Sequence, residues 1–226
     1  MESFLKLVAT DLYNRTQGDL AHTAVVFPNK RAGLFFNEHL AEQSDTPIWS
    51  PAYVSISELF RSLSTWEVGD PVKLVCELYK VFLHETQSKE TLDDFYFWGE
   101  MLISDFDDAD KNMVDTDNLF TNLQDLKNIM DDYTFLNNEQ EEAIRQFFQN
   151  FSIERRTALK ERFISLWDVL GNIYKGFRES LASQNIAYEG MMYRHVIEHL
   201  DVDKLPYEKY VFVGFNAVSY THLRAH

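Results

Sequence analysis

The spacing of apolar positions changes character inside the segment Thr23 to Leu40, TAVVFPNKRAGLFFNEHL. Ala24 to Phe27 is an unbroken apolar run, the pattern of a strand buried on both faces. From Ala32 onward apolar residues return at helical spacing, which assigns Ala32, Leu34, Phe35, His39 and Leu40 to one face of a helix. Pro28 ends the strand, and Asn29 is suited to cap the helix. The polar turn Pro28-Asn29-Lys30-Arg31 therefore falls at the carboxyl end of a strand, where open α/β folds place ligands.

Two later segments repeat this layout. Ile48 to Val54 is a short extended stretch, after which Ser55 and Glu58 have the spacing of a capping box that opens a helix over Ile56 to Leu63. Tyr210 to Val213 is a further buried-strand run, closed by Gly214. Strands that are apolar throughout and alternate with helices predict a parallel sheet covered on both faces. Thr23–Phe27 and Tyr210–Val213 are expected as neighbours in that sheet.

The region between them reads as helical. Asp70-Pro71 supplies a cap and a proline at the first helical position for a helix to about Leu83. Further helices are expected over Thr91 to Phe106, Asp117 to Met130, Asn138 to Phe151, Glu154 to Leu181 and Tyr188 to Leu200. The fold class is thus α/β and predominantly helical, with a parallel sheet interrupted by a large all-helical insert. The division reads 1–66 for the first part of the sheet domain, 67–205 for the insert and 206–217 for the returning strand.

Composition changes the picture where charge is concerned. The net charge of −15 is unfavourable for a phosphate backbone, yet Glu90 to Glu142 holds 16 acidic and 2 basic residues, leaving 20 acidic against 19 basic elsewhere. The acidity belongs to the insert, and the sheet portion is not barred from nucleic acid. With 45% hydrophobic residues the chain can bury a core, and no apolar run reaches the roughly 20 residues of a membrane span. Met1-Glu2-Ser3 leads into an amphipathic helix rather than a signal sequence, and the single cysteine, Cys76, allows no internal disulfide. A cytoplasmic location without membrane contact is the expectation.

Three segments carry a resemblance. Val26-Phe27-Pro28-Asn29-Lys30-Arg31-Ala32 resembles the TFTNKAA motif after the second strand of the first RecA-like domain in superfamily 1 helicases, where the loop touches single-stranded DNA. Ser55-Ile56-Ser57-Glu58-Leu59-Phe60 is similar to the next motif, TFHSL, and Tyr210-Val211-Phe212-Val213-Gly214-Phe215 takes the place of the Walker B strand. No GxxxxGK[ST] occurs in the chain, and Gly214-Phe215-Asn216 stand where Walker B needs an acid for magnesium and water. A RecA-like, P-loop NTPase-type domain stripped of these residues resembles the N-terminal part of the AddB subunit of AddAB helicase-nucleases, and of RecC. The wording FPNKRAGLFF, WGEMLISDFDD and YVFVGFNA is also similar to a family of large Bacteroidetes proteins ending in a PD-(D/E)XK nuclease.

Over Met1 to Ala217 the resemblance implies a degenerate helicase domain in double-strand-break processing and recombinational repair. It further implies an AddA-like helicase subunit as partner, no cofactor within this chain, and a magnesium-dependent nuclease domain beyond it. Val218 to His226, VSYTHLRAH, is the translation of a transposon adapter end used in sequencing libraries, so these residues are expected to be read-through rather than native. Without Arg224 the net charge becomes −16.

The DNA-binding candidates are Phe27, Asn29, Lys30, Arg31 and Ser55. Phe27 suits base stacking or a core position equally, and the polar triplet suits either phosphate contact or a cap with two solvated bases. His195-Val196-Ile197-Glu198-His199 matches the H-x-x-E-H zinc pattern, but is read as incidental on a half-exposed helix for want of room for a third ligand. Asp105, Asp107, Asp108 and Asp110 lack the glycine and glutamate of a calcium loop and are read as a solvated acidic helix end. Phe95, Tyr96, Phe97 and Trp98 are assigned to packing of the insert. The two functional readings are a DNA-guiding, non-catalytic helicase-like module and an acidic protein-interaction scaffold without DNA contact. Both exclude ATP chemistry: a phosphate-release assay on protein freed of contaminating ATPases is expected to show no DNA-stimulated turnover, and saturable turnover would contradict this.

Overall fold

The computed structural model describes residues 3–121 and 156–215. In chain order the elements are α1 (Phe4–Thr16), β1 (Thr23–Phe27), α2 (Lys30–Ala41), β2 (Ala52–Ser55), α3 (Ile56–Leu63), β3 (Glu67–Val68), α4 (Pro71–Thr86), α5 (Leu92–Lys111), α6 (Arg156–Ser183), β4 (Ile186–Ala187), α7 (Glu189–Glu198) and β5 (Lys209–Phe212). The expected helices Asp117 to Met130 and Asn138 to Phe151 lie wholly or mostly outside the described residues, as does Val218 to His226.

The chain folds into two compact units, 1–68 with 189–226, and 69–188. The first holds a three-stranded parallel sheet in the order β2-β1-β5. Central β1 places Ala24 opposite Ala52 on one side and opposite Tyr210 on the other. The expected neighbourhood of the first and last long strands, and their parallel direction, are therefore observed. All five residues of β1 are buried, as the continuous apolar run requires of a strand flanked on both sides.

Helices α1 and α2 pack together, and Ala9, Leu12, Leu20, Phe36 and Leu40 form a core with Val25, Phe27 and Val213. Helix α2 approaches the sheet at Gly33, where a Cβ would lie 3.3 Å from Cβ of Tyr53 and 3.6 Å from the Phe27 ring. Its buried positions are Gly33, Phe36 and Leu40. The expected apolar face is corrected in consequence. Leu34 and Phe35 are 70% and 57% exposed, since the face fixed by Gly33 and Phe36 leaves them turned to solvent.

The boundary of the insert also differs from expectation. Helix α7, read as the last helix of the insert, belongs to the sheet unit, where Tyr193 stacks on Phe60 of α3 at 4.1 Å and its hydroxyl lies 2.9 Å from Ser57 Oγ. Among the described residues no helix is long and apolar enough to cross a membrane.

The second unit is built on α4, α5 and α6. Asp70 caps α4 by accepting from the Val72 and Lys73 amides at 2.9 and 3.2 Å, with Pro71 opening the helix. Phe95 is buried against Phe82 and Tyr79, whereas Phe97, also assigned to packing, is 65% exposed. The acidic run departs furthest from its expected solvated state. Asp107 pairs with Lys111 at 2.7 Å, burial and nearby Asp108 hold the Asp105 carboxyl above its ordinary range, and Asp110 is fully buried. Asp110 accepts hydrogen bonds from the hydroxyls of Tyr174 and Tyr188, each at 2.5 Å, and from Arg178 Nη1 at 2.9 Å.

A carboxylate inside a protein is tolerated when an opposite charge and hydrogen-bond donors replace its water, and removing one partner strands the other. Asp110→Ala is expected to destabilise the helical unit by about 3 kcal/mol, at the low end for a broken buried pair because Arg178 keeps some solvent contact. Urea denaturation followed by circular dichroism measures this, and an unchanged midpoint would show that the network supports nothing.

Candidate functional site

The carboxyl ends of the three parallel strands meet at one edge. Central β1 leaves it through Pro28 and Asn29, β2 ends there on Ser55, and β5 is followed there by Val213 and Gly214. The Val213 amide donates to the Val26 carbonyl at 2.9 Å, carrying the pairing one residue past β5. Gly214 then turns with φ of +81°, a conformation that side chains other than glycine adopt at a cost. A Cβ on Gly214 would lie 4.0 Å from Pro28 Cδ, so the two loops run side by side.

Each helix at this edge begins with a polar cap. Asn29 is extended and its Oδ1 accepts from the Ala32 amide at 3.3 Å, which starts α2 as the sequence suggests. Ser55 and Glu58 form the full capping box of α3: Ser55 Oγ accepts from the Glu58 amide at 3.3 Å, while Glu58 Oε2 accepts from the Ser55 amide at 3.0 Å. Ser55 Oγ also donates to Glu58 Oε2 at 2.9 Å. The Ser55 hydroxyl is therefore committed within the protein, and Ser55 acts at the edge by orienting α3.

The remaining candidates separate by exposure. Phe27 is 1% exposed and packs edge-on against Phe36, their centroids 5.6 Å apart, so of its two readings the core position holds and no ring face is offered to a base. Lys30 and Arg31 are exposed in the first turn of α2, which holds no acidic residue. Cations there oppose the helix macrodipole, which favours negative charge at that end. Lys30 is compensated by an ion pair with Glu58 Oε1. Arg31 makes no ion pair with any described residue.

Glu58 is the residue missed by reading the sequence for DNA contacts. Its capping role was legible from the spacing to Ser55, but its ion pair joins the starts of two helices and has no signature in either segment alone. The hydrogen bond from Lys30, followed by that from the Ser55 amide, lowers the Glu58 carboxyl to about 2.

The other candidate chemistry does not assemble into a site. His195 stacks on Trp66 at 3.9 Å and lies 4.3 Å from the His199 ring, while Glu198 faces Arg194 at 3.6 Å. Among the described residues no group of three or more His, Cys, Asp or Glu side chains is placed to hold a metal ion. Comparisons with protein-family models, with curated proteins and with solved structures return no match.

A lowered folded-state value means that Glu58 contributes stability above the ordinary glutamate range and loses it as pH falls toward about 2. With the side chain 37% exposed, solvent screening keeps the pair's share below about 1 kcal/mol. Lys30→Ala is expected to raise the Glu58 titration toward the ordinary range, read by carboxyl-carbon NMR across that window. A titration curve identical to that of the parent would show that Lys30 does not set it.

Proposed function

We propose that this chain is a non-catalytic, RecA-like helicase-type module that guides DNA, single-stranded DNA included, within an AddB-like helicase-nuclease of double-strand-break processing. The observation that supports the reading is the edge of the parallel sheet. Lys30 and Arg31 stand there in a first helical turn that holds no acidic residue, beside the ends of all three strands. Glu58 answers Lys30, but Arg31 at the helix start is left without an ion pair among the described residues, and a polyanion would relieve that conflict.

On this reading Lys30 and Arg31 contact phosphates, Asn29 fixes the turn that presents them, and Ser55 sets α3 so that Glu58 reaches Lys30. Phe27 serves the core beneath. Hydrolytic chemistry is assigned to a magnesium-dependent PD-(D/E)XK domain elsewhere in the protein. The helical unit suits a protein partner, an AddA-like helicase subunit in this proposal, because Glu90 to Thr121 carries, apart from the buried Asp110, nine acidic residues against Lys111 alone. That same acidity favours the second reading, a scaffold without DNA contact.

The two readings part in a binding experiment. The double variant Lys30→Ala, Arg31→Ala is expected to bind single-stranded DNA more weakly, with a salt slope reduced by up to about 1.4, since each phosphate contact on a single strand contributes about 0.7. Stability is expected to change by no more than about 0.5 kcal/mol, as is usual for exposed side chains. The measurement is an affinity titration at several salt concentrations. Unchanged affinity and slope would leave the loop as a cap and favour the scaffold.

A further inference from the structure

The exposed face of α2 carries more than charge. Lys30, Arg31, Leu34 and Phe35 are all exposed, although Leu34 and Phe35 are large apolar residues on a helix whose inward face is already filled by Gly33, Phe36 and Leu40. Residues four apart on a helix are surface neighbours, with Cβ atoms about 5–6 Å apart. Phe35 therefore stands beside Arg31, and Leu34 beside Lys30. The helix thus carries an aromatic residue one turn from an arginine that has no ion-pair partner among the described residues.

Charge selects the occupant of this face. With no acidic side chain in the first turn of α2, the nearest acid along the stripe is Glu38, one turn beyond Leu34 and Phe35. Lys30 already faces Glu58, so a partner must bring negative charge to Arg31 and a flat apolar surface to Phe35. Single-stranded nucleic acid combines both within one nucleotide, because its unpaired bases expose their π-faces beside the phosphates. A duplex keeps those faces stacked inside and fits only the charged half.

We propose that Phe35 is a stacking platform for an unpaired base, with Arg31 holding the adjoining phosphate. The proposal rests on the DNA-guiding reading and adds the element that distinguishes single from double strands. Leu34 extends the apolar surface, and Glu38 ends it by repelling the strand after about one helical turn.

The test uses the full chain with three fluorescent probes of equal length: a single-stranded oligonucleotide, the same backbone with its central nucleotides abasic, and a duplex. Phe35→Ala is expected to weaken single-strand binding by about 5- to 150-fold, the range for loss of one base–aromatic stack. The salt slope should stay unchanged because no charge is removed, and Phe35→Tyr should restore affinity. On the abasic strand and on duplex, Phe35→Ala and the parent should bind alike. An unchanged melting temperature checks that the exposed side chain is not needed for folding.

If the parent binds none of the probes, the DNA-guiding reading fails and the stacking role with it. If the parent binds and the Lys30, Arg31 variant weakens binding, but Phe35→Ala does not, the stacking role alone is overturned. It is also overturned if Phe35→Ala abolishes self-association while leaving oligonucleotide affinity intact, since the face would then join two copies of the chain.

Discussion

Parallel pairing of Thr23–Phe27 with Lys209–Phe212 holds the sheet unit together across the whole helical excursion of the chain. Loop-closure entropy grows only slowly with length, so a long detour costs little more than a moderate one once the strands have an apolar reason to meet. That reason is the complete burial of β1. A strand with solvent on one face could exchange β5 for water; a strand buried throughout needs a neighbour for its backbone groups on each side. Because β5 comes from the far end of the chain, its carboxyl end brings Gly214 beside Pro28, and the edge that carries Lys30 and Arg31 is complete only when the distant strand has docked. Such non-local pairing also folds more slowly than helix packing.

The two units rely on different devices. The sheet unit combines a continuous apolar strand with polar caps at the helix starts, each a local interaction. The helical unit hides charge: Asp110 is satisfied by two tyrosine hydroxyls and Arg178 rather than by solvent. Both elements of that arrangement come from segments far apart in sequence, which makes the network a selective brace between α5 and α6. A different helix register would leave a carboxylate buried without donors.

Features written in neighbouring residues were legible in the sequence, and features decided by tertiary burial were not. The strand Thr23–Phe27, the Asn29 cap, the Ser55–Glu58 capping box and the Asp70-Pro71 helix start all depend on chemistry within a few residues, and each is found as expected. Phe27 could have faced a ligand or the core, because a strand end offers both. Phe36 decides it by occupying the space beside the ring. Leu34 and Phe35 fit a helical apolar pattern, but Gly33 and Phe36 fit a competing one, and only the close approach of α2 to Tyr53 selects between them. Asp110 had the same composition around it as its exposed neighbours; the tyrosines that bury it lie on α6 and just before α7. The membership of α7 in the sheet unit depends likewise on a stack between Phe60 and Tyr193 that neither segment announces.

The Lys30–Glu58 pair gives the loop a counterion that cannot diffuse away. In dilute salt an ordinary surface lysine faces only water, whereas Lys30 also faces a tethered carboxylate. An anion approaching Lys30 would compete with that carboxylate, a contest that favours groups of concentrated negative charge over chloride. Glu58 does not leave when displaced, because Ser55 still holds its other oxygen. Lys30 is thereby coupled to the cap of α3: withdrawing it leaves Glu58 to its own helix, and the carboxyl regains affinity for a proton. One glutamate makes the charge offered at the sheet edge a property of the second helix as well as of the first.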